Sequence, residues 1–239
     1  MQDGSRGEVS PAAVVSSPMD RWSSDVAAFI LAGGKSIRMG ADKAFVTLDG
    51  QTLLTRALAL ARSATANVHI VGSATKFRDF APVVEDIVPD CGPLGGIHAA
   101  LRASAAELNL VLAVDLPFVQ PTLLEFLIAR ARSSTCLATV PRSGKGFQPL
   151  CAVYRWEFGD LAENALRQGS YRIDMLFNPE QTQILAEDEL RAGGFSQEMF
   201  RNLNTREDLA EAGAIPVTAE LHRSFAAHTA AEDNKNLKS

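Results

Sequence analysis

A single Rossmann-like three-layer α/β/α domain with a mainly parallel sheet is what this chain predicts, on three observations. Short apolar runs alternate with amphipathic stretches through most of its length, the pattern of successive βαβ units. The runs are apolar throughout instead of every second residue, as strands covered on both faces must be. The first of them also ends in a glycine-rich turn, where an open parallel sheet presents its ligand-binding edge.

Five strands are expected at residues 26–31, 67–71, 81–84, 108–114 and 136–140, and residues 147–154 add another. Between them, Leu53, Leu54, Leu58 and Ala61 recur at helical spacing within 52–62. Residues 94–103 and 121–131 repeat the pattern, the latter with Pro121 in the first turn, where its missing N–H costs nothing. Crossovers of this kind are right-handed, so ligands should gather at the carboxyl ends of the strands. The loops after Leu31, Val71, Val84 and Val114 are therefore the ones to inspect.

Residues 26–213 form the expected domain. Residues 1–25 carry scattered Gly, Ser and Pro with only a brief apolar patch, and are expected to be a disordered extension, with Met19 an alternative start. Residues 214–239 are expected to be a polar tail. A length of 239 residues suffices for one large α/β domain with a sizeable core.

Composition excludes several classes. The formal net charge of −5, without an extended basic run, argues against a nucleic-acid partner but not against a free nucleotide. No apolar stretch reaches the roughly 18–20 residues of a membrane span; even 108–119 is interrupted by Asp115 and Pro117. Cys91, Cys136 and Cys151 are odd in number and lack Cys-x-x-Cys spacing, which argues against a disulfide framework or a zinc site and for a reducing cytoplasm.

Against that acidic background, residues 29–43 reverse the sign: Lys35, Arg38 and Lys43 stand against the single Asp42. Gly33 and Gly34 free the backbone to turn and to present amide N–H groups, the geometry of an anion-binding nest. Two readings stand here, a phosphate cradle or a plain turn with solvated cations. Two familiar phosphate motifs fail on spacing. The first glycine of a P-loop would fall at Phe29, and a dinucleotide fingerprint would need glycine at Lys35 and Arg38.

The run Leu31-Ala32-Gly33-Gly34-x-Ser36-x-Arg38-Met39-Gly40-x-Asp42-Lys43 resembles the opening loop of nucleotidyltransferases and, in this form, of the molybdenum cofactor guanylyltransferase family. Further resemblance lies in Gly92-Pro93-Leu94-Gly95-Gly96-Ile97, Val114-Asp115-Leu116-Pro117-Phe118, the run from Gln148 to Arg155, and Asn202-Leu203-Asn204-Thr205, in order over about 28–209. The resemblance implies a nucleotidyltransferase fold and transfer of GMP from GTP to molybdenum-loaded molybdopterin, with pyrophosphate leaving and Mg²⁺ as cofactor. It leaves room for molybdenum-cofactor delivery or acceptor proteins as partners. The alternatives are a related transferase using CTP or a sugar phosphate, and a non-catalytic nucleotide-binding module. Gly33-Gly34 leans toward GTP by family analogy.

By that match, Leu31, Ala32 and Gly33 hold the guanine and ribose end, Lys43 grips the triphosphate, and Asp86 contacts the nucleotide. Arg38 is expected on the β- and γ-phosphates. Asp115 is expected to ligate Mg²⁺ and contact GTP. A carboxylate ending a buried strand is costly unless paired or metal-bound, and Mg²⁺ needs only one or two protein carboxylates beside phosphate and water. A turn or N-cap role for Asp115 is the competing reading, as a solvated turn is for Asp86. Gly72 departs from the family, since some relatives carry Asn there. The glycines of 92–96 are read as a turn before a helix starting near Ile97. Asn204 either lines the site or simply opens a helix at Asn204-Thr205-Arg206-Glu207.

Overall fold

The computed structural model describes residues 25–33, 42–144, 146–212 and 215–216. The expected N-terminal extension, apart from its last residue, most of the glycine-rich loop and nearly all of the C-terminal tail lie outside the described residues. Within them the predicted α/β sandwich is present. The central sheet runs β1 (Val26–Leu31), β4 (Val68–Val71), β5 (Val83–Val84), β6 (Leu108–Ala113), β7 (Ala138–Ser143), β9 (Cys151–Arg155) and β10 (Thr182–Leu185), in the spatial order β10-β7-β9-β6-β1-β4-β5. The two-residue β8 (Gly146–Phe147) pairs with the end of β7. All neighbours on the main path are parallel except β9, which runs antiparallel to β6 and β7. A smaller sheet joins β2 (Val46–Leu48) to β3 (Gln51–Thr52) and to β11 (Ile215–Pro216).

The side-chain period of two sorts each strand between two helical layers. On β1, Val26, Ala28 and Ile30 face a core shared with α1 (Leu53–Ala64) and α4 (Pro121–Arg132), while Ala27 and Phe29 pack with Ala100 of α3 (Gly92–Ala103). On β6, Leu108, Leu110 and Leu112 join the first core and Val111 the second, where α5 (Phe158–Arg167) lies against α3. All six residues of β6 are buried, which explains why its sequence is an unbroken apolar run. Arg132 at the end of α4 grips Asp25 through both carboxylate oxygens, at 2.8 and 2.9 Å from one guanidinium nitrogen, and so ties the second layer to the start of β1.

Three expectations shift. Residues 92–96 are not a turn: α3 begins at Gly92, with Pro93 in its first turn. The run expected at 147–154 is broken after Phe147, because Pro149 offers no N–H and the chain turns with Cys151 N donating to Gln148 O at 3.1 Å before β9 starts. β10 was not anticipated. Thr182–Leu185 reads as mixed polar and apolar because it is an edge strand, paired with β7 on one side only.

Candidate active site

The carboxyl ends of β1, β4, β5 and β6 open into one cavity of about 1090 Å³. The first loop is pinned at its start: Ala32 and Gly33 both donate their N–H to Val71 O, at 3.0 and 3.2 Å, so the chain leaving β1 is laid across the end of β4. The described chain resumes at Asp42. The Asp42 carboxylate accepts from Ala44 N at 3.2 Å and caps a 3-10 turn over Lys43–Phe45, while Ala44 and Phe45 are buried beneath it. Lys43 is thus held on a turn rooted in the core.

Its ammonium spans the cavity wall. Lys43 Nζ lies 3.1 Å from Asp115 Oδ2 and donates to Asn204 Oδ1 at 2.5 Å, joining residues 72 and 161 positions apart in sequence. Asp115 follows the end of β6, and its backbone carbonyl accepts from Leu203 N at 3.0 Å, which fastens the 203–204 strand of chain to the site. Next to it, Thr205 and Asp208 form a reciprocal capping box that starts α7 (Arg206–Glu211), and Asp208 also accepts from Asn204 N at 2.9 Å. Both readings of Asn204 therefore hold at once: its backbone belongs to the helix start and its side chain to the site. Asp115 does stand in the turn after β6, as the competing reading had it, but its carboxylate is given to Lys43 and caps no helix among the described residues.

The opposite wall is acidic. Glu85, Asp86 and Asp90 line it, and with Asp42 and Asp115 they set five carboxylates against Lys43 and Lys76 among the described lining residues. Asp86 keeps solvent contact, yet desolvation by the surrounding wall raises its carboxyl above the usual carboxylate value. Glu85 Oε1 accepts from Ala74 N at 2.9 Å and so holds the start of α2 (Ala74–Phe77). Gly72, φ +157°, sits between these groups. A Cβ there would stand 2.9 Å from Cε2 of the buried Phe77 ring, so the residue that departs from the family pattern is kept small by the ring packed beside it.

The structure brings together Leu31, Ala32, Gly33, Lys43, Asp86 and Asp115, all lining the cavity. Arg38 lies outside the described residues. Lys76 and Asp42 were missed as a pair: Lys76 Nζ donates to Asp42 Oδ2 at 2.8 Å across the cavity mouth. The available signal was position, since Lys76 is the first cation after Val71, in the short helix that follows one of the loops marked for inspection.

A divalent cation fits the donor set in one form only. No group of three or more His, Cys, Asp or Glu side chains able to hold a metal occurs among the described residues. Asp115 lines the cavity and gives Oδ2 to Lys43, so a single protein carboxylate is on offer, enough for Mg²⁺ only if a triphosphate and water supply the other ligands.

Residues 28–182 match the profile of the MobA-like NTP transferase domain. A protein from Pelotomaculum thermopropionicum named as a probable molybdenum cofactor guanylyltransferase is 34% identical over 185 residues, covering 77% of this chain and 89% of the relative. A molybdenum cofactor guanylyltransferase from Desulfosudis oleivorans is 32% identical over 194 residues, covering 79% and 95%. Among solved structures, the molybdopterin-guanine dinucleotide biosynthesis protein A of Archaeoglobus fulgidus superposes with a TM-score of 0.67 at 28% identity, over 77% of this chain and 95% of the other.

Proposed function

The chain belongs to the family of MobA-like NTP transferase domains, and from that premise we propose that it transfers GMP from GTP to molybdenum-loaded molybdopterin, forming the guanine dinucleotide cofactor and pyrophosphate. The observation that carries this reading is the contact of Lys43 with Asp115 and Asn204 at the carboxyl ends of β1 and β6. It puts a cation for phosphate oxygens and a carboxylate for a metal side by side in a cavity large enough for two ligands. The bond formed joins an oxygen of the molybdopterin phosphate to the α-phosphorus of GTP. The bond broken joins that phosphorus to the bridging oxygen, and pyrophosphate leaves with the electron pair.

The protein's contribution is positioning and charge. Lys43 has a third N–H beyond those given to Asp115 and Asn204, and donates it to triphosphate oxygens; Asn204 keeps the ammonium over the site. The backbone of Leu31, Ala32 and Gly33 lies along the nucleoside, and Asp86 takes its N–H or O–H donors. Arg38 is assigned to the β- and γ-phosphates by its place in the loop motif. Asp115 holds Mg²⁺, which offsets the charge gathered on the phosphates. Catalysis belongs to Lys43, Arg38 and Asp115 in this scheme, with the cytoplasm as its compartment and cofactor-delivery or acceptor proteins as further partners. No helix among the described residues is long and apolar enough to cross a membrane.

The test is pyrophosphate release from purified protein mixed with Mg²⁺, molybdopterin and each nucleoside triphosphate in turn. Release is expected with GTP; release with CTP alone moves the chain to the cytidylyl relatives, and release with none supports a non-catalytic binding module. Lys43→Ala and Asp115→Asn are each expected to lower turnover by about 10²–10³, the effect of removing one stabilising group from a charged transition state. Near-parental turnover of either variant at saturating GTP sinks its assignment.

A further inference from the structure

We propose that Lys76 is a base-specificity residue that donates to the O6 and N7 edge of guanine; this rests on the guanylyl reading and extends it to a residue the family motif does not include. Lys43 and Asp115 place the phosphates toward the β6 side of the cavity, with the nucleoside starting along residues 31–33 at the end of β1. In the order β6-β1-β4-β5, with neighbouring strands about 4.8 Å apart, the end of β5 lies roughly 14 Å from that of β6. The nucleoside end of the ligand must therefore face β4 and β5. That end carries Glu85, Asp86 and Asp90, which repel phosphate and accept N–H and O–H groups.

Guanine presents donors and acceptors side by side: N1–H and the N2 amine beside O6 and N7. Carboxylates answer only the first pair. The donors that follow β4 in the cavity lining, among the described side chains, are the Ser73 hydroxyl, which is shared with Thr75, and the Lys76 ammonium; only the ammonium brings three N–H groups to a pair of acceptors. Lys76 sits two residues after Ala74, whose N–H is bound to Glu85 at 2.9 Å, so the ammonium and the carboxylates are built on one contact. Asp42 accepts one of its three N–H groups at 2.8 Å, and the lysine side chain, which lines the cavity, remains about half exposed. Asp42 aims it, much as Asn204 aims Lys43. A 6-amino purine would set an N–H₂ donor against this ammonium, so the arrangement selects guanine over adenine.

Titration calorimetry with Mg²⁺ present tests this on the parent, Lys76→Met, Lys76→Arg and Asp42→Asn. The ligands are GTP, 6-thio-GTP, 7-deaza-GTP, CTP and inorganic tripolyphosphate. The parent is expected to bind each guanine analogue about tenfold more weakly than GTP. Lys76→Met loses GTP affinity to the analogue level and shows no preference among the three, while Lys76→Arg and Asp42→Asn retain the preference. Tripolyphosphate affinity stays at the parental value in Lys76→Met. The proposal is overturned if Lys76→Met keeps the parental preference or if it weakens tripolyphosphate as much as GTP. Equal affinity of the parent for CTP and GTP instead defeats the guanylyl reading itself.

Discussion

His98 sits in the middle of α3, 4% exposed, with neither ring nitrogen hydrogen-bonded to a described residue; Glu163 Oε2 is 3.9 Å from Nε2, beyond hydrogen-bond reach. Burial lowers its pKa, Arg102 and Arg167 push the same way, and Glu163 opposes them. The folded chain thus refuses a proton that the unfolded chain accepts near pH 6.5. Stability is whole above that value and is lost as pH falls through the depressed one. His98→Leu should therefore gain on the parent in melting temperature between pH 7 and pH 5, because it removes both the titration and a buried unsatisfied polar group. Asp86 behaves with the opposite sign. Its raised carboxyl favours the protonated folded state, so the stability it contributes at low pH is lost as pH rises through the raised value. Asp86→Asn should gain stability on the parent as pH is raised from 4 to 7 in thermal melts, while GTP affinity at pH 7 falls. A loss of neither stability difference nor affinity would return Asp86 to the solvated turn.

At the level of elements, the first turn of α3 departs from expectation. Three glycines and a proline within Gly92–Gly96 look like a turn because glycine costs a helix about 1 kcal/mol relative to alanine. Packing overrides propensity here. A Cβ on Gly95 would stand 3.1 Å from Cys91 Cβ and 3.2 Å from Val88 O, and one on Gly96 would stand 3.3 Å from Leu31 Cδ2. The helix is glycine-rich because its first turns press against the β5–α3 loop and the end of β1, bringing it up to the cavity. Gly95→Ala sets a helical gain of about 1 kcal/mol against an overpacking cost of about 1–3 kcal/mol. Net destabilisation of about 1 kcal/mol is expected in urea unfolding; an increase in stability would show that the loop yields. By contrast, β1 matched its expected bounds and the strand expected at 108–114 ended one residue early, since an unbroken apolar run between a turn and a helix has few other ways to bury itself. The 147–154 run was legible as strand but not as a strand broken at Pro149.

For the whole molecule, the sheet order is what makes a site. It sets Asp115, with Lys43 beside it, toward one end of a cavity and Asp86 toward the other. A ligand bridging both ends should stabilise the entire fold. At a hundredfold excess of GTP over Kd with Mg²⁺, about 2.7 kcal/mol is expected, or roughly 5–10 °C in melting temperature for a domain of this size. Asp115→Asn should lose most of that shift, and an undiminished shift would place the metal elsewhere.

Local pattern in the chain was enough for the fold class and for the strands buried on both faces, and the cost of a charge at the end of an apolar strand marked Asp115. Lys43 was marked by its match to the family motif. Tertiary structure alone decided which groups meet. Lys43 with Asn204, Asp42 with Lys76 and Glu85 with the start of α2 are joined across 161, 34 and 11 positions, by strand order that local periodicity does not encode. Lys76 in particular has no mark in the sequence beyond its place after Val71. Its meaning comes from the Asp42 carboxylate opposite and from the acidic wall beside it, which exist as its neighbours only once the sheet is assembled.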